Sequence, residues 1–163
     1  MNPTANPSQN TTAEASVSAM RLEHATGWDV LAIRQLERAA FGRDAYDVLA
    51  LLELLLSPQM RCLKMVMESK IVGFVAGELN SRQHAGWIVT LGVHPDFAGR
   101  GIGSRLLLAC EALMKMQVVK LTVRKSNQRA IQLYERHGYV YVHIIAHYYN
   151  DREDGLLMEK RVL

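Results

Sequence analysis

A glycine-rich segment holds the residues of this sequence whose types and spacing most clearly point to chemistry. Glycines at positions 99, 101 and 103 follow an alternating apolar stretch, Trp87–Val93, and open a helical pattern, Ile102–Met116. Because glycine lacks a Cβ atom, the backbone of such a loop can approach a ligand closely. The first turn of the predicted helix also presents unpaired N–H groups and the positive end of its dipole. This order of strand, loop and helix predicts a site for a phosphate or pyrophosphate group of a small molecule.

The glycine spacing differs from that of two common phosphate-binding loops. A P-loop ends in Gly-Lys-Ser or Gly-Lys-Thr, and no lysine stands at that position here. A dinucleotide fingerprint needs Gly-x-Gly-x-x-Gly, whereas this segment reads Gly99-x-Gly101-x-Gly103. The spacing instead resembles motif A of the GNAT superfamily of acyl-CoA-dependent amine acetyltransferases. Gly101 and Gly103 match the motif, and Ala98 replaces its leading glutamine or arginine.

A second segment, Asn127–Tyr139, resembles motif B of the same superfamily, which reads Asn-x-x-Ala-x-x-x-Tyr-x-x-x-Gly and then Phe or Tyr. In physical terms, Ser126 or Asn127 can cap a helix whose apolar face includes Tyr134. Gly138 is expected to end that helix in the left-handed conformation. The two motifs stand in the order that the superfamily shows.

The resemblance implies that acetyl-CoA is the cosubstrate. Main-chain groups of residues 91–93 would contact its pantetheine arm, with Gly92 in a β-bulge, and the loop would hold its pyrophosphate. Tyr134 would lie beside the sulfur and protonate the departing thiolate. The implied cofactor-binding residues are Leu91, Gly92, Val93, Gly99, Arg100, Gly101, Ile102, Gly103, Ser104 and Asn127.

Within the superfamily, the acceptor side resembles the protein N-terminal acetyltransferases, including the ribosomal-protein alanine type. The segments Trp87–Val93 and Leu121–Asn127 carry this resemblance. Phe41 matches an apolar residue that lines the acceptor pocket. Tyr148 and Tyr149 match a pair that grips a peptide N-terminus, although they could also be the aromatic end of a strand packed on the sheet.

The residues at two positions bear on the choice of acceptor. Thr122 stands where relatives carry a glutamate or histidine, and Trp87 where one branch carries a catalytic tyrosine. Neither side chain can act as a general base at neutral pH. An α-amine with a pKa near 8 is about a tenth neutral at pH 7, whereas a lysine amine is almost wholly protonated. The missing base therefore favours the α-amine of a protein or peptide N-terminus, deprotonated through water and backbone carbonyls.

The expected reaction is direct transfer in a ternary complex, with the oxyanion held by main-chain N–H groups of residues 91–93. Two alternatives stay open. The acceptor could be a small amine such as a polyamine, an aminoglycoside or a metabolite, with Asp44, Asp47 and Glu53 supplying an acidic pocket. The chain could also be an acyl-CoA-binding module without turnover.

Periodicity predicts the elements that must position these residues. The predicted helices are Trp28–Phe41, Tyr46–Leu56, Ile102–Met116 and a last one after Asn127. The predicted strands are Leu63–Met67, Ile71–Leu79, Trp87–Val93, Val118–Val123, Tyr139–Tyr149 and Leu156–Val162. The resemblance implies a mixed α/β (α+β) GNAT fold, with a mostly antiparallel sheet of about six or seven strands and about four helices. Trp87–Val93 and Val118–Val123 would splay apart to admit acetyl-CoA.

Length and composition predict one domain, residues 18–163, behind a polar tail, residues 1–17. The 163 residues are 49% hydrophobic, and no apolar run is long enough to span a membrane. From Arg100 onward, eleven basic residues face six acidic ones, which suits a polyanionic cofactor. No nucleic-acid-binding signature or metal-ligand spacing appears, and Cys62 and Cys110 are expected to be reduced. We expect a cytoplasmic monomer or homodimer.

Overall fold

The structure, a computed structural model, describes residues 20–162, so the predicted polar tail, residues 1–17, lies outside the described residues. In the described part of the chain the strands are β1 (Arg21–His24), β2 (Met60–Met67), β3 (Lys70–Asn80), β4 (Ala85–Val93), β5 (Val118–Arg124), β6 (Val140–Ile145) and β7 (Gly155–Arg161). The α-helices are α1 (Val30–Phe41), α2 (Val48–Leu56), α3 (Ile102–Met114) and α4 (Gln128–Arg136).

All of these strands form one sheet in the order β1-β2-β3-β4-β5-β7-β6. Every neighbouring pair is antiparallel except β4 and β5, which run parallel. The predicted mixed, mostly antiparallel sheet with four helices is confirmed. Strand β1 was not predicted, because its residues are mostly polar and exposed and Leu22 is its one apolar side chain. The alternation that predicts a strand is therefore missing from it.

Strands β4 and β5 pair only near their N-terminal ends, where Ala85–Ile88 lies beside Val118–Leu121. Beyond Ile88, β4 continues to Val93 along β3 and is no longer paired with β5. The predicted splayed pair is thus present, and the gap between the two strands opens towards their C-terminal ends.

A β-bulge lies at the start of this gap. Ile88 pairs with Gly77 and Thr90 pairs with Ala76, so Val89 is an additional residue in β4. A bulge bends its strand and increases the local twist. The bulge therefore accounts for the divergence of β4 from β5 at this point.

The prediction of a bulge at Gly92 was wrong. Gly92 pairs regularly with Phe74 on β3. A glycine is needed there for a different reason, because a Cβ atom on Gly92 would lie 2.9 Å from Cε2 of the Phe41 ring. The missing side chain thus allows the end of α1 to pack directly on β4.

The two faces of the sheet carry separate cores, because successive side chains of β3 point to opposite faces. Phe74 and Ala76 pack with α1 and α2, whereas Val75 packs with α3. Helix α3 lies close to the sheet, since a Cβ atom on Gly73 or Gly77 would lie 2.8 or 2.6 Å from its side chains. Helices therefore cover both faces of the sheet.

The connection between β6 and β7 holds two of the predicted acceptor-binding residues. Strand β6 ends at Ile145, so Tyr148 and Tyr149 lie beyond it and not in a strand that was predicted to reach position 149. His147 has a φ of 54°, which is incompatible with an extended strand. Its N–H donates to Oδ1 of Asp154 at 3.0 Å, and this bond helps to fold the connection back.

Among residues 20–162, no helix combines the length and the apolar character that a membrane crossing requires. Within the same residues, no group of His, Cys, Asp and Glu side chains is arranged to hold a metal ion. Cys62 and Cys110 are buried free thiols. Burial raises the pKa of Cys62 to about 11 and that of Cys110 to about 12, so both thiols stay protonated at neutral pH.

Candidate active site

The glycine-rich loop connects the end of β4 to the first turn of α3. Gly99 and Gly101 have φ angles of 80° and 75°, in the left-handed region that favours glycine. Gly101 is the N-cap of α3, and it has no side chain that could accept a hydrogen bond from the first turn. The N–H groups of that turn and the positive end of the helix dipole are therefore available to an anion.

A cleft of about 600 Å³ lies in front of this turn, between the end of β4 and one side of α4, and we call it the cofactor cleft. Arg100 is the predicted cofactor-binding residue that does not line it. Its guanidinium lies 5.0 Å from the centroid of the Phe97 ring instead. The predicted residues that line the cofactor cleft are Leu91, Gly92, Val93, Gly99, Gly101, Ile102, Gly103, Ser104 and Asn127.

Basic side chains of α4 lie along the cofactor cleft. Arg129 and Arg136 both line it. His137 follows α4, and its Nε2 atom lies 2.8 Å from Oγ of Ser104 in the first turn of α3. This contact joins the end of α4 to the start of α3. Positive charge beside a helix N-terminus favours a polyanionic ligand.

Asn127 has a structural role and a position in the site. Its Oδ1 atom accepts a hydrogen bond from the N–H of Ala130 at 3.1 Å and so caps α4, as predicted. The cap uses the amide oxygen and leaves the amide NH₂ group as a donor. Because Asn127 also lines the cofactor cleft, that donor is available to a ligand there.

Tyr134 lies where the cofactor cleft meets a second cavity of about 550 Å³, which we call the acceptor cavity. Tyr134, Phe41 and Leu91 line both spaces. The Tyr134 side chain is 7% exposed and packs edge-on against Tyr139, with ring centroids 5.6 Å apart. Burial raises the pKa of Tyr134 well above that of a free phenol, so its hydroxyl stays protonated. A hydroxyl that stays protonated is available as a hydrogen-bond and proton donor.

The acceptor cavity lies between α1, β4, β5 and the β6–β7 connection. It brings Phe41 together with Tyr148 and Tyr149, the three residues predicted for the acceptor side. The Tyr148 and Tyr149 rings pack edge-on with centroids 5.1 Å apart, and Tyr148 is half exposed at the rim. The Tyr149 hydroxyl donates to the carbonyl oxygen of Thr122 at 3.5 Å. These aromatic residues therefore line the cavity and are not the end of a strand.

Arg124, at the end of β5, ties together the two connections that flank the acceptor cavity. Its guanidinium donates to both carboxylate oxygens of Asp44, at 2.6 and 2.7 Å, in the α1–α2 connection. It also donates to Asp151 at 3.0 Å and to Glu153 at 2.6 Å in the β6–β7 connection. Its Cζ atom lies 4.1 Å from the centroid of the Tyr149 ring. One cation thus holds both walls of the cavity through charge-assisted hydrogen bonds.

The acidic residues that were expected to attract a cationic small molecule already have partners in this structure. Asp44 pairs with Arg124. Asp47 caps α2 by accepting the N–H of Ala50 at 2.9 Å. Glu53 lies on α2 outside the lining of the acceptor cavity. The cavity wall therefore lacks the cluster of open carboxylates that the small-amine alternative assumed, as far as the described residues go.

Two buried polar side chains that line the acceptor cavity were not predicted. Glu37 of α1 is 0% exposed, and Thr90 of β4 is 7% exposed. The Thr90 hydroxyl donates to Oε1 of Glu37 at 2.8 Å, and the N–H of Tyr46 donates to Oε2 at 3.4 Å. Burial raises the pKa of Glu37. The sequence carried a signal, since Glu37 follows Leu36 on the apolar face of α1, where an unpaired charge would be costly.

Comparison with known proteins identifies the family. The family model for acetyltransferases of the GNAT family matches residues 29–139, which include both motifs. The chain belongs to the GNAT acetyltransferase family. Acetyl-CoA is the cosubstrate of this family, and the glycine loop, the first turn of α3 and the basic side of α4 fit its phosphate groups.

Two relatives illustrate which members of the family have similar sequences. This chain is 29% identical over 98 residues to the catalytic subunit NAA20 of the N-terminal acetyltransferase B complex from Arabidopsis thaliana, a match that covers 56% of each chain. It is 40% identical over 77 residues to an N-alpha-acetyltransferase from Sulfurisphaera tokodaii, covering 45% of this chain and 46% of that enzyme. The chain thus spans about half the length of these two relatives.

A solved structure shows the same fold. The ribosomal-protein-S18-alanine N-acetyltransferase from Escherichia coli superposes with a TM-score of 0.80 at 21% sequence identity. The superposition covers 88% of this chain and 94% of that one. At this identity the likeness establishes the fold, and the acceptor must be argued from the site.

Proposed function

We propose that the protein transfers an acetyl group from acetyl-CoA to the α-amine of a protein or peptide N-terminus. The meeting of the cofactor cleft and the acceptor cavity at Tyr134, Phe41 and Leu91 carries this proposal. Each space has the size of a ligand-binding pocket. Two pockets that share a wall support direct transfer in a ternary complex, because both substrates can be held with their reacting groups in contact.

On the cosubstrate side, the first turn of α3 would hold the pyrophosphate through main-chain N–H groups. Arg129 and Arg136 would neutralise phosphate charge along α4. The pantetheine arm would lie along the end of β4, whose main-chain groups on the side of β5 are not paired with that strand beyond Ile88. The amide NH₂ group of Asn127 would donate to this arm or to the phosphates.

On the acceptor side, the neutral amine would attack the thioester carbon, so that a C–N bond forms while the C–S bond breaks. Main-chain N–H groups of residues 91–93 would stabilise the negative charge that develops on the carbonyl oxygen. Tyr134 would give its phenolic proton to the departing thiolate. Phe41, Tyr148 and Tyr149 would surround the first residue of the acceptor peptide.

An α-amine is the preferred acceptor because it is easier to deprotonate than a lysine amine, and neither Thr122 nor Trp87 supplies a base at the positions where relatives carry one. Thr122 lines the acceptor cavity, but a hydroxyl is not a base at neutral pH. The indole Nε1–H of Trp87 donates to Oε1 of Gln83 at 3.3 Å, outside the cavity lining. An α-amine is easier to deprotonate than a lysine amine by about 2.4 pKa units. The names of the plant and archaeal relatives, an N-terminal acetyltransferase subunit and an N-alpha-acetyltransferase, support the same acceptor.

The proposal is tested by following thiol release from acetyl-CoA with a panel of acceptors. The panel contains short peptides that differ in their first residue, together with polyamines and aminoglycosides. We expect release with one or a few peptide N-termini. Release with small amines alone would show that the acceptor is a small amine. Coenzyme binding without release on any acceptor would indicate a non-catalytic acyl-CoA-binding module.

Replacing Gly92 by alanine should raise KM for both substrates. The added methyl group would lie 2.9 Å from Cε2 of Phe41, so the ring must move, and it lines both spaces. Overpacking of this kind costs about 1–3 kcal/mol, so Tm should fall as well. Gly27→Ala is the matched control, because its methyl group would meet Leu56 at an ordinary 3.5 Å. Steady-state kinetics with unchanged KM values for Gly92→Ala would contradict the role of Phe41.

A further inference from the structure

We infer that Thr90 and Glu37 form a relay that takes the proton from the ammonium group of the acceptor. This inference rests on the acetyl transfer proposed above and adds a residue pair that accepts the proton. The site otherwise lacks a base at Thr122, so the deprotonation step needs an acceptor from another part of the fold.

The relay is built from a buried hydrogen bond that reaches the acceptor cavity. The Thr90 hydroxyl donates its single proton to Oε1 of Glu37 at 2.8 Å. A hydroxyl used in this way still presents oxygen lone pairs, which can accept a hydrogen bond from an ammonium group. Thr90 lines the acceptor cavity between the bulge residue Val89 and Leu91, and Leu91 also lines the cofactor cleft. Thr90 therefore lines the same cavity as the junction residues Leu91 and Tyr134.

The proton transfers balance over one turnover. The first N–H proton moves to Oγ1 of Thr90 as the hydroxyl proton of Thr90 moves to Oε1 of Glu37, which leaves a neutral amine and a carboxylic acid. After attack on the thioester, Tyr134 protonates the sulfur and the second N–H proton restores the phenol. The proton on Glu37 returns to solvent when the products leave, so one proton is released for each acetyl group transferred.

The surroundings of Glu37 suit a proton acceptor for an amine. Burial raises its pKa, which brings the carboxyl closer to the pKa of an α-amine and lowers the free-energy cost of the transfer. The hydrogen bond from Thr90 opposes this rise in pKa, as do the N–H of Tyr46, which donates to Oε2, and the charge of Arg34, one turn earlier on α1. The other ionisable groups that line the same cavity are Arg43, Asp44, Tyr46, Asp47, Arg124, Tyr134, Tyr148 and Tyr149.

The relay is tested by the pH dependence of kcat/KM for Glu37→Gln. With the relay intact, the enzyme can bind the ammonium form and deprotonate it. The value of kcat/KM should therefore stay nearly constant when the pH falls below the pKa of the amine. Without it, only the neutral amine reacts. Because about a tenth of an α-amine is neutral at pH 7, the variant should lose about tenfold at pH 7 and almost nothing at pH 9.

Two variants of Thr90 keep the test independent of any folding defect in Glu37→Gln. Thr90→Val removes the hydroxyl at nearly constant volume and should give the same pH-dependent loss. Thr90→Ser keeps a hydroxyl and should restore the wild-type profile. The Kd of acetyl-CoA should stay within about twofold in all three variants, since none of these side chains lines the cofactor cleft.

The outcomes separate the relay from the proposed function. An equal loss at pH 7 and pH 9 would show that the Thr90–Glu37 bond only packs α1 against β4, and would overturn the relay. Unchanged profiles in Glu37→Gln and Thr90→Val would overturn it as well. If wild-type protein acetylates no amine, the proposed function itself is wrong, and the relay falls with it.

Discussion

Replacing Tyr134 by phenylalanine is expected to lower kcat by about a hundredfold or more, while the Kd of acetyl-CoA stays nearly unchanged. The phenol lies at the junction of the two cavities, where the sulfur of the cosubstrate must reach the amine. Burial raises the pKa of this phenol, so it carries a proton at neutral and mildly alkaline pH. Phenylalanine keeps the ring and its packing against Tyr139 but leaves the departing thiolate without a proton donor.

Tyr139→Phe is the matched control for this prediction. Tyr139 is the aromatic neighbour of Tyr134 and is equally buried, but its hydroxyl donates to Oε1 of Glu111 at 2.8 Å, outside the two cavities. Removing that hydroxyl should cost about 1.5–3 kcal/mol of stability, because its partner is a buried carboxylate, and leave kcat close to wild type. A thiol-release assay measures kcat, and isothermal titration calorimetry measures the Kd of acetyl-CoA. A wild-type kcat in Tyr134→Phe would remove Tyr134 from the acid role.

Replacing Ser104 by aspartate should weaken acetyl-CoA binding by roughly a hundredfold without destabilising the fold. A carboxylate about 5 Å from a phosphate repels it by about 3 kcal/mol at an effective dielectric constant of about 20. The same carboxylate lies in the first turn of α3, where negative charge stabilises a helix by about 0.3–1 kcal/mol. Binding and stability should therefore change in opposite directions, which a general folding defect cannot produce.

Ser104→Asn is the control, because asparagine has the size of aspartate and no charge. It should retain acetyl-CoA binding within a few-fold, and its amide can still bond to His137, whose Nε2 lies 2.8 Å from Oγ of Ser104. Calorimetric titration with acetyl-CoA and a thermal melt measure the two effects on each variant. Tight binding by Ser104→Asp would mean that the pyrophosphate does not lie at the N-terminus of α3.

The cofactor half of the site could be predicted from the sequence because its parts are contiguous in the chain. The loop that ends at Gly103 and the helix that begins after Asn127 are each short segments whose glycines and cap have local physical reasons. The wrong prediction of a β-bulge at Gly92 arises because the reason for this glycine is not local. The glycine is required by Phe41, a residue far away in the sequence, and only the packing of α1 on β4 reveals that contact.

The acceptor half depends on tertiary contacts that no local pattern encodes. Arg124 is paired with Asp44, 80 residues earlier, and with Glu153, 29 residues later. Glu37 and Thr90 lie 53 residues apart, on a helix and a strand whose separate patterns predict only burial. Phe41, Tyr148 and Tyr149 were predicted by resemblance, whereas the charges and the hydroxyl that surround them were not. The sequence therefore predicts a cosubstrate more sharply than it predicts an acceptor.

The central claim, transfer to an α-amine, is tested most directly with one peptide in two forms. The peptide carries a free N-terminus and one internal lysine, and its twin differs only in a blocked N-terminus. After incubation with acetyl-CoA, fragmentation mass spectrometry locates the acetyl group on each. We predict acetylation of the α-amine alone in the first peptide and none in its twin. Acetylation of the lysine in the blocked twin at a comparable rate would contradict the account.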